Sequence, residues 1–140
     1  VHVCLFDSRG RLLIQKRTAE KRVWPCRWDV SVGGGVDAGE TSRQGAEREF
    51  REELGYPLDL TDQRPAVTVN FPEGFDDFYI VTRDLNEKSL ALQKEEVSAV
   101  RWVTLKELLA MVDSGEFIPY PKGFLQFLFE IRESFGFPTK

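Results

Sequence analysis

Hydrophobic and polar residues alternate in several short segments of this chain, which is the pattern expected of β-strands with one buried face. Residues 1–7 and 11–17 are separated by Ser-Arg-Gly after an aspartate, and these residue types favour a tight turn. The two segments therefore predict a β-hairpin. Four further segments show strand-like patterns and predict strands at residues 28–34, 66–71, 78–85 and 99–105.

Residues 41–54 have helical rather than strand-like spacing, with apolar side chains four residues apart at Ala46, Phe50 and Leu54. Thr41 or Ser42 is suited to the N-cap of this helix, because a short side-chain oxygen can accept a hydrogen bond from the first turn. Gly55 is suited to the position after the last turn. The pattern predicts a central helix with defined ends.

Two more helices are predicted in the second half of the chain. One begins after Thr104 and ends at Gly115, and the other occupies the last 20 residues, with 123–136 included. Strands flanked by a few helices indicate an α+β domain, or an αβα arrangement of layers. Since no repeat or linker divides the 140 residues, they predict one domain. Val1 already lies in the first strand pattern, so an upstream segment of the native chain is left open.

Composition and charge exclude several classes of protein. The chain has 41% hydrophobic and 30% charged residues, as globular proteins do. A net charge of -4 argues against a nucleic-acid partner, which would call for a basic surface. No stretch approaches the roughly 20 apolar residues of a membrane span, so no membrane partner is expected. The two cysteines are too few for a disulfide framework, which favours a cytoplasmic location.

The central helix carries four glutamates within seven positions, at Glu47, Glu49, Glu52 and Glu53. At about 100° per residue from Ala46, Glu53 falls near -20°, Glu49 near -60° and Glu52 near -120°, so these three share one flank. Gly45 lies near -100° on the same flank and leaves space above them. Glu47 with Arg51, and Arg48 with Glu52, have the i,i+4 spacing of surface ion pairs.

Glu49 does not fit such a surface pattern, because its helical neighbours carry no positive charge: Gly45, Ala46, Glu52 and Glu53. Glu53, at the edge of the apolar stripe, likewise has no local cation. Like charges at this spacing destabilise a helix by roughly 0.2 to 0.5 kcal/mol. A divalent cation such as Mg²⁺ would remove the repulsion, and the glycines at 33–35 let the backbone approach a metal or a phosphate closely.

The segment from Gly34 to Tyr56 resembles the Nudix box, GX5EX7REUXEEXGU, in which U is a bulky apolar residue. Gly34, Glu40 and residues 48–56 match every fixed position, with Phe50 and Tyr56 at the U positions. The resemblance implies a Nudix fold, with a mixed β-sheet between α-helices. It also implies hydrolysis, dependent on Mg²⁺ or Mn²⁺, of a small-molecule substrate such as a nucleoside diphosphate linked to another moiety.

The resemblance also assigns roles to residues of the box. Glu49 and Glu53 are similar to the main metal ligands, and Glu52 to a residue of the same metal cluster. Gly33, just before the box, is similar to the residue whose carbonyl completes the metal shell. Arg48 is similar to a structural residue that orients the glutamates through Glu52 or Glu40, with a surface i,i+4 pair as the alternative.

One more acid outside the box is expected to act as a ligand or base. Glu96 is similar to it in placement, six residues before Trp102, and Glu95 is the neighbouring alternative. The implied mechanism is attack of a metal-activated water on a pyrophosphate phosphorus. Glu49 is suited to either the ligand or the base role, because a carboxylate close to such a water can do both.

Candidates for substrate binding are weaker. Arg17 at a strand end is placed to reach phosphates, although a solvated strand end fits as well. Trp24, Phe75 and Phe78 are suited to stack on a base, or equally to pack in the core. Because His2 is the only histidine and lies in a strand, a Ser-His-Asp or Cys-His nucleophile is excluded. A homodimer is left open.

Two rival functions remain. The lead-in WPxxWDVS also resembles the superfamily branch that contains isopentenyl diphosphate isomerase. That enzyme needs a catalytic cysteine shortly after the tryptophan, where this chain has Gly33, and Cys26 is interpreted as a loop residue. The other rival is a nucleotide-binding Nudix module without turnover, which a degraded box would favour. This box retains all its acids.

Overall fold

The computed structural model describes residues 1–134, which form a seven-stranded β-sheet and three α-helices. The strands are β1 His2–Phe6, β2 Leu12–Arg17, β3 Trp28–Asp29, β4 Val32–Gly33, β5 Val67–Phe71, β6 Gly74–Thr82 and β7 Val97–Val103. The α-helices are α1 Ser42–Leu54, α2 Leu105–Ser114 and α3 Lys122–Ile131, and a 3-10 turn spans Glu87–Ser89. Residues 135–140 of the predicted third helix lie outside the described residues.

The sheet is mixed, and its order is β3-β2-β1-β6-β5, with β4 also paired to β1 and β7 to β2. The predicted hairpin is confirmed, because β1 and β2 are antiparallel with Phe6 opposite Leu12. β1 and β6 pair in parallel, whereas β5 and β6 form a second hairpin that leaves β5 at the sheet edge. β6 begins four residues before the predicted strand because of this hairpin, in which Phe71 lies opposite Gly74.

The prediction of one strand over residues 28–34 was wrong. β3 pairs with β2, whereas β4 pairs with β1, so the segment changes partner near Ser31. There the serine side chain bridges the two strands: its Oγ accepts from Leu5 N at 2.8 Å and donates to Leu13 O at 2.5 Å. A hydroxyl can do both at once, and this satisfies buried backbone groups where the ladder is interrupted.

Side chains of the central strands alternate between two cores, one on each side of the sheet. Val3 and Leu5 of β1 pack with the apolar stripe of α1, while Cys4 and Phe6 pack with α2 and α3. Because successive side chains of a strand point to opposite faces, one strand contributes to both cores. The predicted α+β class is confirmed, and the helices lie on both faces of the sheet. None of the three helices within residues 1–134 has the length and apolar character needed to cross a membrane.

Both ends of α1 are fixed locally. Thr41 is the N-cap: its side chain accepts from Gln44 N, and the Gln44 side chain accepts from Thr41 N. Gly55 adopts a left-handed φ of 64° and donates its N–H to Arg51 O at 2.9 Å. This pair of caps sets where the helix starts and stops, and therefore which residues of α1 face the sheet.

Candidate active site

Glu53 is the most buried carboxylate of α1, with only 4% of the residue exposed. It lies on the side of the helix that packs on the sheet. Its Oε2 accepts a hydrogen bond of 2.6 Å from the Gln15 amide of β2, which also donates to Ser31 O at 3.0 Å. The tertiary structure therefore supplies a neutral hydrogen-bond donor to a buried acid.

Burial raises the pKa of Glu53 to about 7, because an ion loses hydration inside the protein. The Gln15 hydrogen bond and the positive charge of Lys21 act in the opposite direction. The negative charges of Glu49 and Glu96 raise the pKa further. Glu53 is therefore subject to the charge of one acid of its own helix and of one acid from the segment before β7.

Glu49 packs directly against the backbone of Gly34. A Cβ atom at Gly34 would lie 2.2 Å from Glu49 Cδ and 2.5 Å from its Oε1, so a side chain there would displace the carboxylate. Burial raises the pKa of Glu49, although Arg48 lowers it in part. The absence of side-chain atoms at position 34 sets where this carboxylate lies.

The expectation that Glu49 has no local cation was wrong. Arg48 Nη1 donates to Glu49 Oε1 at 3.0 Å, although neighbouring residues of a helix do not normally face each other. The contact forms because the Arg48 side chain folds back towards the loop of residues 33–40. Side-chain spacing along a helix cannot predict a contact that depends on a neighbouring loop.

Arg48 holds the loop and the glutamates together. Its guanidinium donates to Glu40 at 2.8 and 3.1 Å and to Gly35 O at 2.9 Å. It also donates to Glu52 Oε2 at 3.3 Å. The hydrogen bond with Arg48 and the backbone contact at Asp37 lower the pKa of Glu40. Both predicted partners of Arg48 are thus in contact with it, and Glu49 is a third.

Two other expectations for α1 were wrong. Glu47 accepts from Leu60 N at 2.7 Å, and no ion pair with Arg51 occurs among residues 1–134. Gly45 does not leave open space above the glutamates, because Val36 fills it: a Cβ there would lie 3.1 Å from Val36 Cγ2. In both cases a residue of a flanking loop, six residues beyond an end of α1, occupies the place that helix geometry alone left free.

We expect Arg48→Lys to lower kcat/KM by about 10- to 100-fold, as is typical when residues that orient metal ligands are replaced. Lysine keeps the charge but cannot donate to Glu40, Gly35 and Glu49 at once. Arg51→Lys is the matched control on the same helix, and it should leave kcat/KM unchanged. Steady-state kinetics of both variants checks this, and equal activity of the two would contradict the role of Arg48.

Glu96 lies directly before β7, and its charge acts on the pKa of Glu53. Its side chain contacts Lys21 Nζ, and its backbone carbonyl accepts from Thr18 N at 3.2 Å. The side chain of Glu95 is exposed, and its carbonyl accepts from Thr18 Oγ1 at 2.9 Å. Of the two alternatives, Glu96 is the one whose charge reaches Glu53.

Arg17, Trp24 and Phe78, the three predicted substrate-binding residues, make contacts other than with these carboxylates. Arg17 donates to Val23 O at 3.1 and 2.9 Å, so it holds the loop between β2 and β3. Trp24, in that loop, is 45% exposed and has a φ of 51°. Phe78 is 3% exposed and stacks on His2 at 4.7 Å, as part of the core. None of the three shares a contact with Glu49 or Glu53 in the hydrogen-bond and ion-pair network of residues 1–134.

Gln15 and Lys21 were not recognised from the sequence. Gln15 directly follows the apolar residues 12–14 of β2 and is buried as they are, and a buried polar residue needs a hydrogen-bond partner. Its place next to that apolar run was the available signal. Lys21 had no comparable signal, because a lysine in a polar loop is ordinarily solvated.

Glu49 and Glu53 fit a divalent cation in donor type and charge. Both are oxygen donors whose protonated forms are favoured by burial and by the charges of neighbouring acids, and a cation would relieve both effects. Within residues 1–134, however, no three acidic, histidine or cysteine side chains are already clustered to hold a metal. Arg48 and Lys21 engage Glu52 and Glu96 instead. Glu49 and Glu53 would be the first ligands of an ion at this place, and Glu52 and Glu96 would join it by exchanging their contacts with Arg48 and Lys21.

Comparison with known proteins shows which family model and which relatives this chain matches. The NUDIX domain model matches residues 1–122. An uncharacterized Nudix hydrolase of Listeria innocua is 50% identical over 96% of this chain and 78% of its own length. A Nudix hydrolase of Deinococcus radiodurans is 33% identical over 83% of this chain and 68% of its own length.

Solved structures show the same fold. A crystal structure from Deinococcus radiodurans has a TM-score of 0.73 at 31% identity, covering 94% of this chain and 80% of that one. The MutT protein of Methanosarcina mazei has a TM-score of 0.71 at 22% identity, covering 95% and 92% of the two chains. The second likeness concerns the fold alone.

Proposed function

Because this chain belongs to the Nudix hydrolase family, we propose that it cleaves the pyrophosphate bond of a nucleoside diphosphate linked to another moiety, or of a related diphosphate. Nudix hydrolases act on phosphoanhydride bonds and generally use divalent cations. This chain is an enzyme of that pyrophosphatase class. What we propose beyond the family is the class of substrate and the identity of the cation, Mg²⁺ or Mn²⁺.

The observation that supports this function best is the buried Glu53 beside Glu49. Glu53 is 4% exposed, has a raised pKa and receives, among residues 1–134, a hydrogen bond only from a neutral amide, so its charged form is unfavourable. Buried charges persist when they are paired or bind metals. In a family that uses divalent cations, the pair Glu49 and Glu53 is suited to bind one.

We assign the residues as follows. Glu49 and Glu53 are the main ligands, Glu52 and the Gly33 carbonyl complete the site, and Glu96 is a further ligand or base. Arg48 positions the glutamates against the loop of residues 33–40. When bound, a divalent cation lowers the pKa of a water and offsets charge on the phosphoryl oxygens. Glu49 and Glu96 are the two carboxylates suited to accept the proton of the attacking water.

Hydrolysis of a panel of nucleoside diphosphate derivatives should require Mg²⁺ or Mn²⁺ and release a monophosphate. The cations would offset the negative charge that the glutamates and the diphosphate bring together. Product release is measured in chelated buffer and after each metal is added. Turnover that is equal with and without metal, or absent across a broad panel, would contradict the proposal.

The two rival functions are not favoured by the comparisons, since the relatives named above are Nudix hydrolases. The same panel tests both. Conversion of isopentenyl diphosphate to its allylic isomer would support the isomerase reading, and binding of nucleotides without turnover would support a binding module.

We further propose that the 140 residues form one domain.

A further inference from the structure

Gly33 and Gly34 are packed on opposite faces of the sheet by two different side chains. A Cβ at Gly34 would meet the Glu49 carboxylate, whereas a Cβ at Gly33 would lie 2.6 Å from His2 Cδ2 and 2.7 Å from His2 Nε2. Successive side-chain positions of a strand point to opposite faces. His2 therefore lies against the glycine backbone on the face opposite α1.

The pairing of β4 with β1 leaves the Gly33 carbonyl outside the β-ladder. Val1 N donates to Gly34 O at 2.8 Å, and Gly34 N donates to Val1 O at 3.0 Å, so these two residues form a hydrogen-bonded pair. Such pairs alternate with non-hydrogen-bonded pairs in an antiparallel ladder, and the next pair is His2 opposite Gly33. The N–H and C=O of Gly33 therefore point away from β1, where the carbonyl is available to another partner.

The His2 ring is held on its other sides by three residues. It stacks on the Phe78 ring, with 4.7 Å between the centroids and an angle of 10° between the planes. Its Nδ1 lies 2.8 Å from Asp76 Oδ2, and its Nε2 lies 3.4 Å from the Tyr120 hydroxyl. Only 19% of the side chain is exposed. The ring cannot turn away from Gly33 without losing these contacts.

The three neighbours of the ring are themselves fixed in the fold. Asp76 and Phe78 belong to β6, and Phe78 is buried in the core. The Tyr120 hydroxyl donates to Asp29 Oδ1 at 3.0 Å. Burial acts to raise the pKa of Asp76, but the contact with His2 and its charge bring that pKa below its usual range. A carboxylate that is charged at neutral pH therefore faces the His2 ring.

We propose that His2 is a positioning residue of the metal site. Its ring is a rigid support for Gly33 on one face of the sheet, while Glu49 packs on Gly34 from the other face. Together they fix the path of the backbone that carries the Gly33 carbonyl. This inference rests on the proposed function, in which that carbonyl completes the metal site. The only histidine of the chain thus acts through another residue and takes no direct part in the chemistry.

Replacement of His2 or Gly33 by alanine should weaken binding of Mn²⁺ to the free protein by about 10-fold or more, as is typical when residues that orient metal ligands are changed. His2→Ala removes the support. Gly33→Ala adds a methyl group that displaces the ring or the backbone, although Gly33 has no positive φ that would strain an alanine. Electron paramagnetic resonance of unbound Mn²⁺ measures the dissociation constant without substrate.

Gly35→Ala is the matched control, because a Cβ there would meet no atom within 4 Å. It should bind Mn²⁺ as the wild-type protein does. Weaker binding by this variant, to the same degree as by Gly33→Ala, would show that any change in the loop has this effect and would overturn the role of His2.

The effects of the two alanine substitutions should depend on each other, as is usual for residues in contact. In the double variant, the methyl group at position 33 takes space that the ring has left. Gly33→Ala should therefore weaken Mn²⁺ binding less in the His2→Ala background than in the wild-type protein. The same factor in both backgrounds, or an unchanged dissociation constant in His2→Ala, would overturn the proposal.

His2→Phe keeps the test decisive if His2→Ala folds poorly. Phenylalanine retains a flat ring between Gly33 and Phe78, but it loses the contacts with Asp76 and Tyr120. The free energy of unfolding, measured with chelator present, should therefore fall, whereas the Mn²⁺ dissociation constant should stay close to the wild-type value. A role limited to general stability would weaken both together, and that result would overturn the proposal.

Hydrolysis measured on the same variants separates this inference from the proposed function. Metal-dependent turnover by the wild-type protein, together with equal Mn²⁺ dissociation constants in the wild-type protein and His2→Ala, would overturn the inference alone. Mn²⁺ binding that depends on His2 as expected, with no hydrolysis across the substrate panel, would support the inference and overturn the proposed function.

Discussion

Glu53→Gln is expected to lower kcat by about 10²- to 10⁴-fold, the range typical for loss of a group that acts directly in metal-assisted or acid–base chemistry. The substitution removes one charge and preserves shape. The Gln15 amide donates to Glu53 Oε2 at 2.6 Å, and the amide oxygen of a glutamine can accept the same bond. A loss of turnover would therefore be caused by removal of the carboxylate charge and not by a change in packing.

The fold should remain intact in this variant, and in metal-free buffer it should become more stable at neutral pH. Between pH 4.5, the ordinary pKa, and about 7, the folded protein binds more protons at Glu53 than the unfolded chain does. The free energy of unfolding therefore falls as pH rises through this window, by on the order of 3 kcal/mol. Glutamine cannot titrate, so the variant should lose this decline.

Denaturant unfolding of both proteins at several pH values between 4.5 and 8, with chelator present, measures this difference. Circular dichroism shows whether the variant keeps its secondary structure. A variant with near wild-type turnover, or one that unfolds at neutral pH without metal, would refute the assignment of Glu53 as a buried charge that serves the reaction.

Gly34→Ala should lower kcat/KM by about 10²-fold or more, as happens when a reacting group is displaced by about 1 Å. The new methyl would lie 2.2 Å from Glu49 Cδ, so the carboxylate has to move. The displaced atoms are the end of a flexible side chain, and Gly34 has no positive φ that would strain an alanine. The free energy of unfolding should thus change by less than about 1 kcal/mol.

Gly35→Ala is the matched control, because a Cβ there would meet no atom within 4 Å. It makes the same change in composition one residue further along the same loop. Kinetics and thermal unfolding of the two variants, measured side by side, separate the position of Glu49 from general stiffening of the loop. Equal losses of activity in both variants would show that the contact between Gly34 and Glu49 does not determine the activity.

The local structure of α1 was predictable because its causes are local. Thr41 caps the helix, Gly55 ends it, and the apolar stripe at Ala46, Phe50 and Leu54 is fully buried as the spacing indicated. Helical hydrogen bonds and caps join residues a few positions apart, so the relevant pattern is continuous in the sequence. The grouping of Glu49, Glu52 and Glu53 on one flank follows from the same periodicity.

The wrong predictions share one cause, which is contact with residues outside the predicted element. Ser31 splits a predicted strand because it bonds β1 and β2 at once, and Val36 fills the space that Gly45 was expected to leave. Glu47 bonds the backbone of Leu60 instead of its helical neighbour. Spacing along one element carries no information about which other segment will cover it.

By itself the sequence determined the family pattern, the elements that carry it and the face of α1 on which the acids lie. Only the tertiary structure decided how charged those acids are and what surrounds them. Gln15 and Glu53 are 38 residues apart, yet their contact and the burial around it set the pKa of the acid. The charge of a buried group depends on desolvation and on neighbours from other strands and loops, and these exist only once the chain has folded.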